Sequence, residues 1–319
     1  MPSSSVQIVA VVGCGTIGTS WAACFARAGL TVRLFDADPA RPAFARAEAI
    51  EMLRASGDVT GGDVTALQAR IQLADTLEQA VQNADYVQEN AREQAGEKTA
   101  LFEQLDALAP PDCILASSSS AILPSSFLAG LPGRSRCLVA HPFNPPHLIP
   151  VVELVAPAWV APEILARTAT FLESIGQLPI YVAREVDGYV GNRLQVAVVN
   201  EAMALIDRGV VSPGDLDRCV TQGLGLRWAF IGPFETMDLN APDGFAGYVG
   251  RFGDSYQQLG RTLALDSPWS QEAIDRVAAW RRSELPLADL KQRQAWRDDL
   301  ILRIRALVAN ADAVTSSSR

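Results

Sequence analysis

The sequence predicts an α/β protein, with a doubly wound, mostly parallel sheet over residues 1–186 followed by an all-helical part over 187–319. Three observations predict it. Short β-branched runs alternate with amphipathic stretches through the first half, a glycine-rich turn joins the first run to the first helix, and strand signals stop near Asp187.

The elements follow in order. "VQIVAVV" (6–12), "TIGTSWAACFARAG" (16–29) and "TVRLFD" (31–36) read as strand, helix, strand. Further strands are expected at "ADYVQE" (84–89), "CILASS" (113–118), "RCLVAH" (136–141) and "IPVVELV" (149–155), with a helix at "GEKTALFEQLDAL" (96–108). Strands separated by helices imply a parallel sheet covered on both faces. Beyond Asp187, Val190, Leu194, Val198, Ala202 and Leu205 recur at helical spacing, and Leu287, Leu290, Leu300, Ile304 and Leu307 form one apolar stripe on a last helix over 287–308.

Composition narrows the class. With 319 residues, 49% of them hydrophobic, the chain can support two domains with separate cores. A net charge of -9 leaves no basic field for nucleic acid or an acidic membrane surface. The cysteines Cys14, Cys24, Cys113, Cys137 and Cys219 are odd in number and lack metal-ligand spacing, as expected of reduced cytoplasmic thiols with no metal. The start, "MPSSSVQIVAVVG", has no basic region and its apolar run is cut short by glycine, so neither a signal peptide nor a membrane span is expected. The serine-rich ends are expected to fray.

"GCGTIG" supplies Gly13, Gly15 and Gly18 directly after a strand, with Thr16 and Ile17 opening the helix. In such a turn the first glycine permits the bend, the second lets backbone approach a pyrophosphate, and the third lets helix and strand pack closely. Free N–H groups at the helix start then face the anion. Asp36 ends the second strand, where a carboxylate accepts from a ribose 2′-hydroxyl and repels a 2′-phosphate. The cofactor expected is NAD rather than NADP, with Arg33 and Arg41 as the cationic neighbours that argue the other way.

Three polar features follow the later strands: "SSSS" (117–120), His141 and Glu153. Ligands of open α/β sheets bind at the carboxyl ends of parallel strands, which sends Ser120 and His141 toward the cofactor crevice. Glu153 sits in an apolar strand, where an ionised carboxylate needs a partner. The prolines of "HPFNPPHLIPVVEL" (141–154) turn the chain so that Glu153 returns to His141. A carboxylate fixes an imidazole's tautomer and raises its basicity, which suits acid/base work. On the residues alone, an acid/base pair and a core histidine bonded to backbone both fit. His147 has no matching carboxylate and reads as a loop residue.

In this order and spacing, "GCGTIG", Asp36, "ASSSSAI", "HPFNPP", "VVELV" and "GYVGNRLQ" resemble the 3-hydroxyacyl-CoA dehydrogenase family of NAD-dependent enzymes. "SPGDLDRCVTQGLGLRWAFIGPFETMDLNAPDG" (212–244) and "RQAWRDDLILRI" (293–304) are similar to its L-gulonate 3-dehydrogenase branch, the lambda-crystallins. The resemblance implies a catalytic base at His141, its orienting carboxylate at Glu153, and substrate-oxygen partners at Ser120 and Asn192, with Asn144 nearby. It implies cofactor contacts at Glu93, Lys98 and Ser117, and a homodimer formed through the helical part. "SSSS" and "HPFNPP" depart from the family's commoner SNTSS and HFFNPV, which bears on substrate rather than chemistry.

Residues 38–70 contain four arginines and no lysine, a poor cradle for the phosphates of an acyl-CoA. Arg227, in the glycine-flanked "GLGLRWAFIGP", suits a free carboxylate instead. The expected activity is therefore oxidation of the 3-hydroxyl of a small hydroxy acid, L-gulonate favoured. 3-Hydroxybutyryl-CoA and carnitine are the rival substrates, the latter through Trp228 and Phe230 as aromatic partners for its cation. A non-enzymatic alternative is an NAD-binding sensor or structural protein.

Overall fold

The computed structural model describes residues 6–57, 64–263 and 269–316. The serine-rich ends, 1–5 and 317–319, lie outside the described residues. The chain divides into two compact units, residues 1–193 and 194–319.

The first unit is an eight-stranded sheet: β1 (Ile8–Val12), β2 (Thr31–Phe35), β3 (Ile71–Leu73), β4 (Tyr86–Glu89), β5 (Ile114–Ser117), β6 (Cys137–Pro142), β7 (Val151–Val155) and β8 (Leu178–Val182), in the spatial order β3-β2-β1-β4-β5-β6-β7-β8. The first six are parallel, as short connections through helices require. Those helices are α1 (Thr16–Arg27), α2 (Arg41–Ala55), α3 (Val64–Arg70), α4 (Leu77–Val81), α5 (Ala95–Leu108), α6 (Pro124–Leu128) and α7 (Pro162–Ser174). Chain order reverses between β1 and β4, which opens a crevice at their carboxyl ends.

All six predicted strands form, and β3 and β8 are additional. β3 has three residues, too few for a periodic signal. β8 is the outer strand beyond β7, carries Pro179, and leaves Leu178 and Tyr181 exposed, so it lacks the signature of a buried strand. β7 runs antiparallel to β6 because only a Pro-rich loop joins them, and His141 and Glu153 come to lie directly opposite each other.

One face of the sheet packs on α1 and α7 through Trp21, Phe25, Tyr86 and Phe171, with Trp21 stacked on Phe25 at 5.2 Å between ring centres and Tyr86 tilted against Phe171 at 4.7 Å. Each such buried side chain contributes about 2–3 kcal/mol. The other face packs on Phe102, Leu105 and Phe127 of α5 and α6.

The second unit contains most of α8 (Gly191–Asp207), then α9 (Pro213–Arg218), α10 (Gly225–Trp228), α11 (Pro233–Leu239), α12 (Gly244–Gly260), α13 (Gln271–Glu284) and α14 (Leu290–Ser316). A π-turn, Cys219–Leu224, links α9 to α10. The predicted stripe on α8 is displaced. Val190, Leu194 and Val198 are exposed, whereas Met203 and Ile206 are buried with Val199 against Leu216, Ala273 and Val277. Within the second unit, the apolar packing of α8 on α9 and α13 involves its later turns, and those turns set the buried face. The C-terminal stripe is likewise uncovered in the single chain: Leu287 precedes α14 in a 3₁₀ turn, and Leu287 and Leu307 are about 70% exposed, at 69% and 70%. No described helix is long and apolar enough to cross a membrane.

Candidate active site and dinucleotide cleft

The turn between β1 and α1 shows three glycines under three different constraints. Gly13 has φ +93°, and a Cβ there would lie 2.7 Å from the backbone of Asn90. At Gly18 a Cβ would meet the carbonyl oxygen of Gly13 at 1.9 Å, so α1 can approach β1 only without one. Gly15 has nothing within 4 Å of its Cβ position and lines an open cleft of about 560 Å³. That free space above the start of α1, with no side chain capping its N–H groups, fits a pyrophosphate. Thr16 is exposed and Ile17 half-buried at the same helix start.

Asp36 borders this cleft with Arg41, Asn90, Arg92 and Leu101. Its carboxylate is fixed by the backbone N–H of Cys14 at 2.6 Å and of Asp38 at 2.9 Å, which aims it while leaving lone pairs for ribose hydroxyls. Arg33 is spent on the carbonyls of Gln79 and Gln82. Arg41 donates to the carbonyl of Cys14 at 3.1 Å and remains at the cleft. Burial pushes the Cys14 thiol up to about 12, so the cysteine inside the turn is a packing residue, not a thiolate.

At the carboxyl end of β6, His141 Nδ1 lies 2.8 Å from Glu153 Oε2. Glu153 is fully buried, and its Oε1 accepts from the N–H groups of Val190 at 2.8 Å and Gly191 at 3.0 Å. Burial pushes the Glu153 carboxyl up; the hydrogen bonds from His141, Gly191 and Val190 outweigh it and hold the carboxyl below the ordinary 4.5. With Nδ1 occupied, His141 Nε2 has no protein partner among the described residues and is the nitrogen available to a substrate hydroxyl. Tyr189 and Phe143 flank the imidazole, at 5.6 and 6.3 Å between ring centres.

The serine loop after β5 lies at the same end of the sheet. Asn192 donates its side-chain amide to the carbonyl of Ser120 at 2.7 Å, so it holds the loop and is not a helix cap. The Ser120 hydroxyl itself has no protein partner among the described residues. Glu93 Oε1 accepts from the N–H groups of Ser120, Ala121 and Ile122 and from the Ser119 hydroxyl. Against the upward push of desolvation, these bonds and Lys98 keep the Glu93 carboxyl below its ordinary value.

Ser117 and Lys98 lie beneath the crevice rather than on its wall. Both are buried on Glu89, with Lys98 Nζ at 2.9 and 3.0 Å from the two carboxylate oxygens and the Ser117 hydroxyl donating to one of them. Glu89 also accepts from the N–H of Ala91 at 2.6 Å. Its role was missed in the sequence, although a glutamate in an apolar strand opposite a lysine on the Phe102–Leu105 face of α5 carries the same signal that singled out Glu153. Also missed are buried Gln88 and half-buried Asn90 and Ser118, a polar set in which Ser118 Oγ donates to Asn90 at 2.7 Å and accepts from Gln88 at 2.7 Å. Asn144 is exposed on the loop after β6. His147 is more than a loop residue: it is buried, with Nδ1 2.7 Å from the Ser20 hydroxyl, and fastens the Pro-rich loop to α1. Arg227 belongs to the second unit, exposed on α10, with no hydrogen bond or ion pair to its guanidinium among the described residues.

A dinucleotide cleft at the β1/β4 switch point, with an acid/base pair at the carboxyl end of β6 in the same sheet, is the equipment of a nicotinamide-dependent dehydrogenase. Comparison with known proteins narrows this class. Residues 8–186 match the model for the 3-hydroxyacyl-CoA dehydrogenase NAD binding domain, and residues 188–279 match that for the C-terminal domain of the same enzymes. The chain belongs to the 3-hydroxyacyl-CoA dehydrogenase family and is an NAD-dependent oxidoreductase.

Among its relatives, a lambda-crystallin homolog of Bos taurus is 42% identical over 96% of this chain and 97% of its own length. An L-carnitine dehydrogenase of Pseudomonas aeruginosa is 33% identical over 97% of this chain and 96% of its own. Among solved structures, 5-formyl-3-hydroxy-2-methylpyridine 4-carboxylic acid 5-dehydrogenase, an NAD+ dependent dismutase, is 29% identical with a TM-score of 0.81 and covers 95% of this chain and 99% of that one.

Proposed function

We propose that this enzyme oxidises the 3-hydroxyl of a small, free hydroxy acid, with L-gulonate the favoured substrate. The His141–Glu153 pair carries the reading. NAD, when bound, supplies the hydride acceptor. His141 Nε2 takes the proton from the hydroxyl oxygen as hydride leaves the carbon bearing that hydroxyl, and Glu153 stabilises the imidazolium that forms. The Ser120 hydroxyl, held by Asn192 through the loop backbone, bonds the reacting oxygen. Glu93 fixes that loop, and Lys98 and Ser117 fix the Glu89 carboxylate under it.

Substrate choice rests on charge. The chain has two lysines, Lys98 and Lys291, and Lys98 is buried on Glu89, so no lysine before residue 291 is free to meet the phosphates of a coenzyme A ester. Arg54 pairs with Glu51 at 2.6 Å. Arg227, with no carboxylate partner among the described residues, suits the carboxylate of a free acid. Likeness to a dehydrogenase of a pyridine carboxylic acid supports a free carboxylic acid as substrate. The carnitine dehydrogenase relative keeps a second substrate in view, because exposed Trp228 and Phe230 beside Arg227 suit a quaternary ammonium. We infer further that the active form is a homodimer joined through the second unit.

Initial rates of NADH formation with L-gulonate, 3-hydroxybutyrate, carnitine and 3-hydroxybutyryl-CoA test the reading. The expected result is the highest kcat/KM for gulonate, lowered on the order of tenfold or more, through KM, by Arg227→Ala. A higher efficiency with the coenzyme A ester overturns the choice.

A further inference from the structure

We propose that Tyr189 is a positioning residue, clasping the serine loop through its hydroxyl and the His141 imidazole through its ring so that base and loop move as one body. The inference rests on the roles of Ser120 and His141 given above.

Tyr189 is fully buried, in a core cluster with Phe127, Val139 and Val155. Its hydroxyl donates to the carbonyl of Ile122 at 2.8 Å, at the end of the loop that carries Ser120. Its ring lies 5.6 Å from the imidazole of His141, inclined at 54°. The loop is thereby held from two sides. Glu93 takes its N–H groups at 2.8, 2.9 and 3.3 Å, and Tyr189 takes its last carbonyl. The Ser119 hydroxyl lies 2.7 Å from Glu93 and 3.1 Å from the Ile122 carbonyl but has one proton to give. Donated to the carboxylate, that proton leaves Tyr189 as the donor for Ile122.

The backbone at this point serves the same end. Gly188 and Tyr189 both have positive φ, +72° and +49°, a conformation disfavoured for a residue with a Cβ and kept only where its surroundings enforce it. The turn delivers the next two N–H groups, Val190 and Gly191, to Glu153, whose other oxygen holds His141. One residue later the Asn192 amide reaches Ser120. Within four residues the chain therefore binds the orienting carboxylate, the base and the substrate-facing loop. A phenylalanine would fill the same core; only the phenol oxygen reaches the loop. That difference separates positioning from packing.

The test is Tyr189→Phe in the full chain. Amide hydrogen exchange over residues 119–122 is expected to accelerate about tenfold, as loss of the hydroxyl removes the bond that holds the half-buried Ile122 carbonyl and loosens the loop locally. With the best hydroxy acid of the substrate panel, kcat is expected to fall about tenfold while the KM for NAD and the melting temperature stay near wild type. Unchanged exchange overturns the clasp, and faster exchange with unchanged kcat overturns the positioning role. Should no hydroxy acid be turned over by the wild-type enzyme, the proposed reaction falls, while the exchange measurement still decides whether the clasp exists.

Discussion

Glu153 serves His141 through one carboxylate oxygen and the first N–H groups of α8 through the other. Replacing it with glutamine keeps the shape but removes the charge that stabilises an imidazolium. Glu153→Gln is expected to lower kcat on the order of 10²–10⁴-fold, the range assigned to a positioned acid/base group, in steady-state assays of NADH formation. The same residue makes stability depend on pH. Its carboxyl is held below the ordinary 4.5 in the folded chain, so its contribution is present above that value and lost as pH falls through the lower folded value. Thermal melts from about pH 5 to about pH 3 are expected to fall more steeply for wild type than for Glu153→Gln. Equal slopes would show that the carboxylate is not linked to folding. The type of this residue and its apolar strand were legible in the sequence. The fates of Lys98 and Ser117 were not, because both are decided by Glu89, which reaches them only when β4, β5 and α5 pack together.

At the scale of the element, the β1–α1 turn separates packing from binding within six residues. Gly18→Ala places a methyl against the backbone of Gly13, and overpacking of this kind costs about 1–3 kcal/mol, a fall of several degrees in melting temperature. Gly15→Ala meets no protein atom. It is expected to leave the melting temperature unchanged and to weaken NAD binding, measured by calorimetry, about tenfold or more. A Gly15 variant that binds NAD normally would remove the pyrophosphate from this turn. The motif was readable because turn, helix and strand here are consecutive in the chain. Strand β8 was not: its partner β7 and its exposure depend on its place at the sheet edge. The face that α8 buries also escaped the sequence, since several apolar residues surround that helix and contact with α9 and α13 selects among them.

For the whole molecule, the second unit has a small buried cluster and long uncovered apolar stripes. On α12, Phe245, Val249, Phe252, Tyr256 and Leu259 share one face, each at least 40% exposed. Stripes of this length on a single chain are what the proposed homodimer would cover. Sedimentation velocity at micromolar concentration is expected to give twice the 34.2 kDa of the chain, and Phe252→Asp is expected to shift it toward the monomer. A wild-type monomer would refute the dimer. The sequence by itself determined the alternation of strand and helix, the glycine turn, the acidic end of β2, and the presence of a histidine and a buried glutamate close together in the chain. Each follows from local periodicity or from the backbone freedom of particular residues. Only the tertiary structure decided that His141 faces Glu153 across two antiparallel strands, that Glu89 draws in Lys98 and Ser117, and that Tyr189 reaches the serine loop. These depend on strand register and on contacts between segments distant in sequence, where a shift of one residue would turn every side chain to the opposite face.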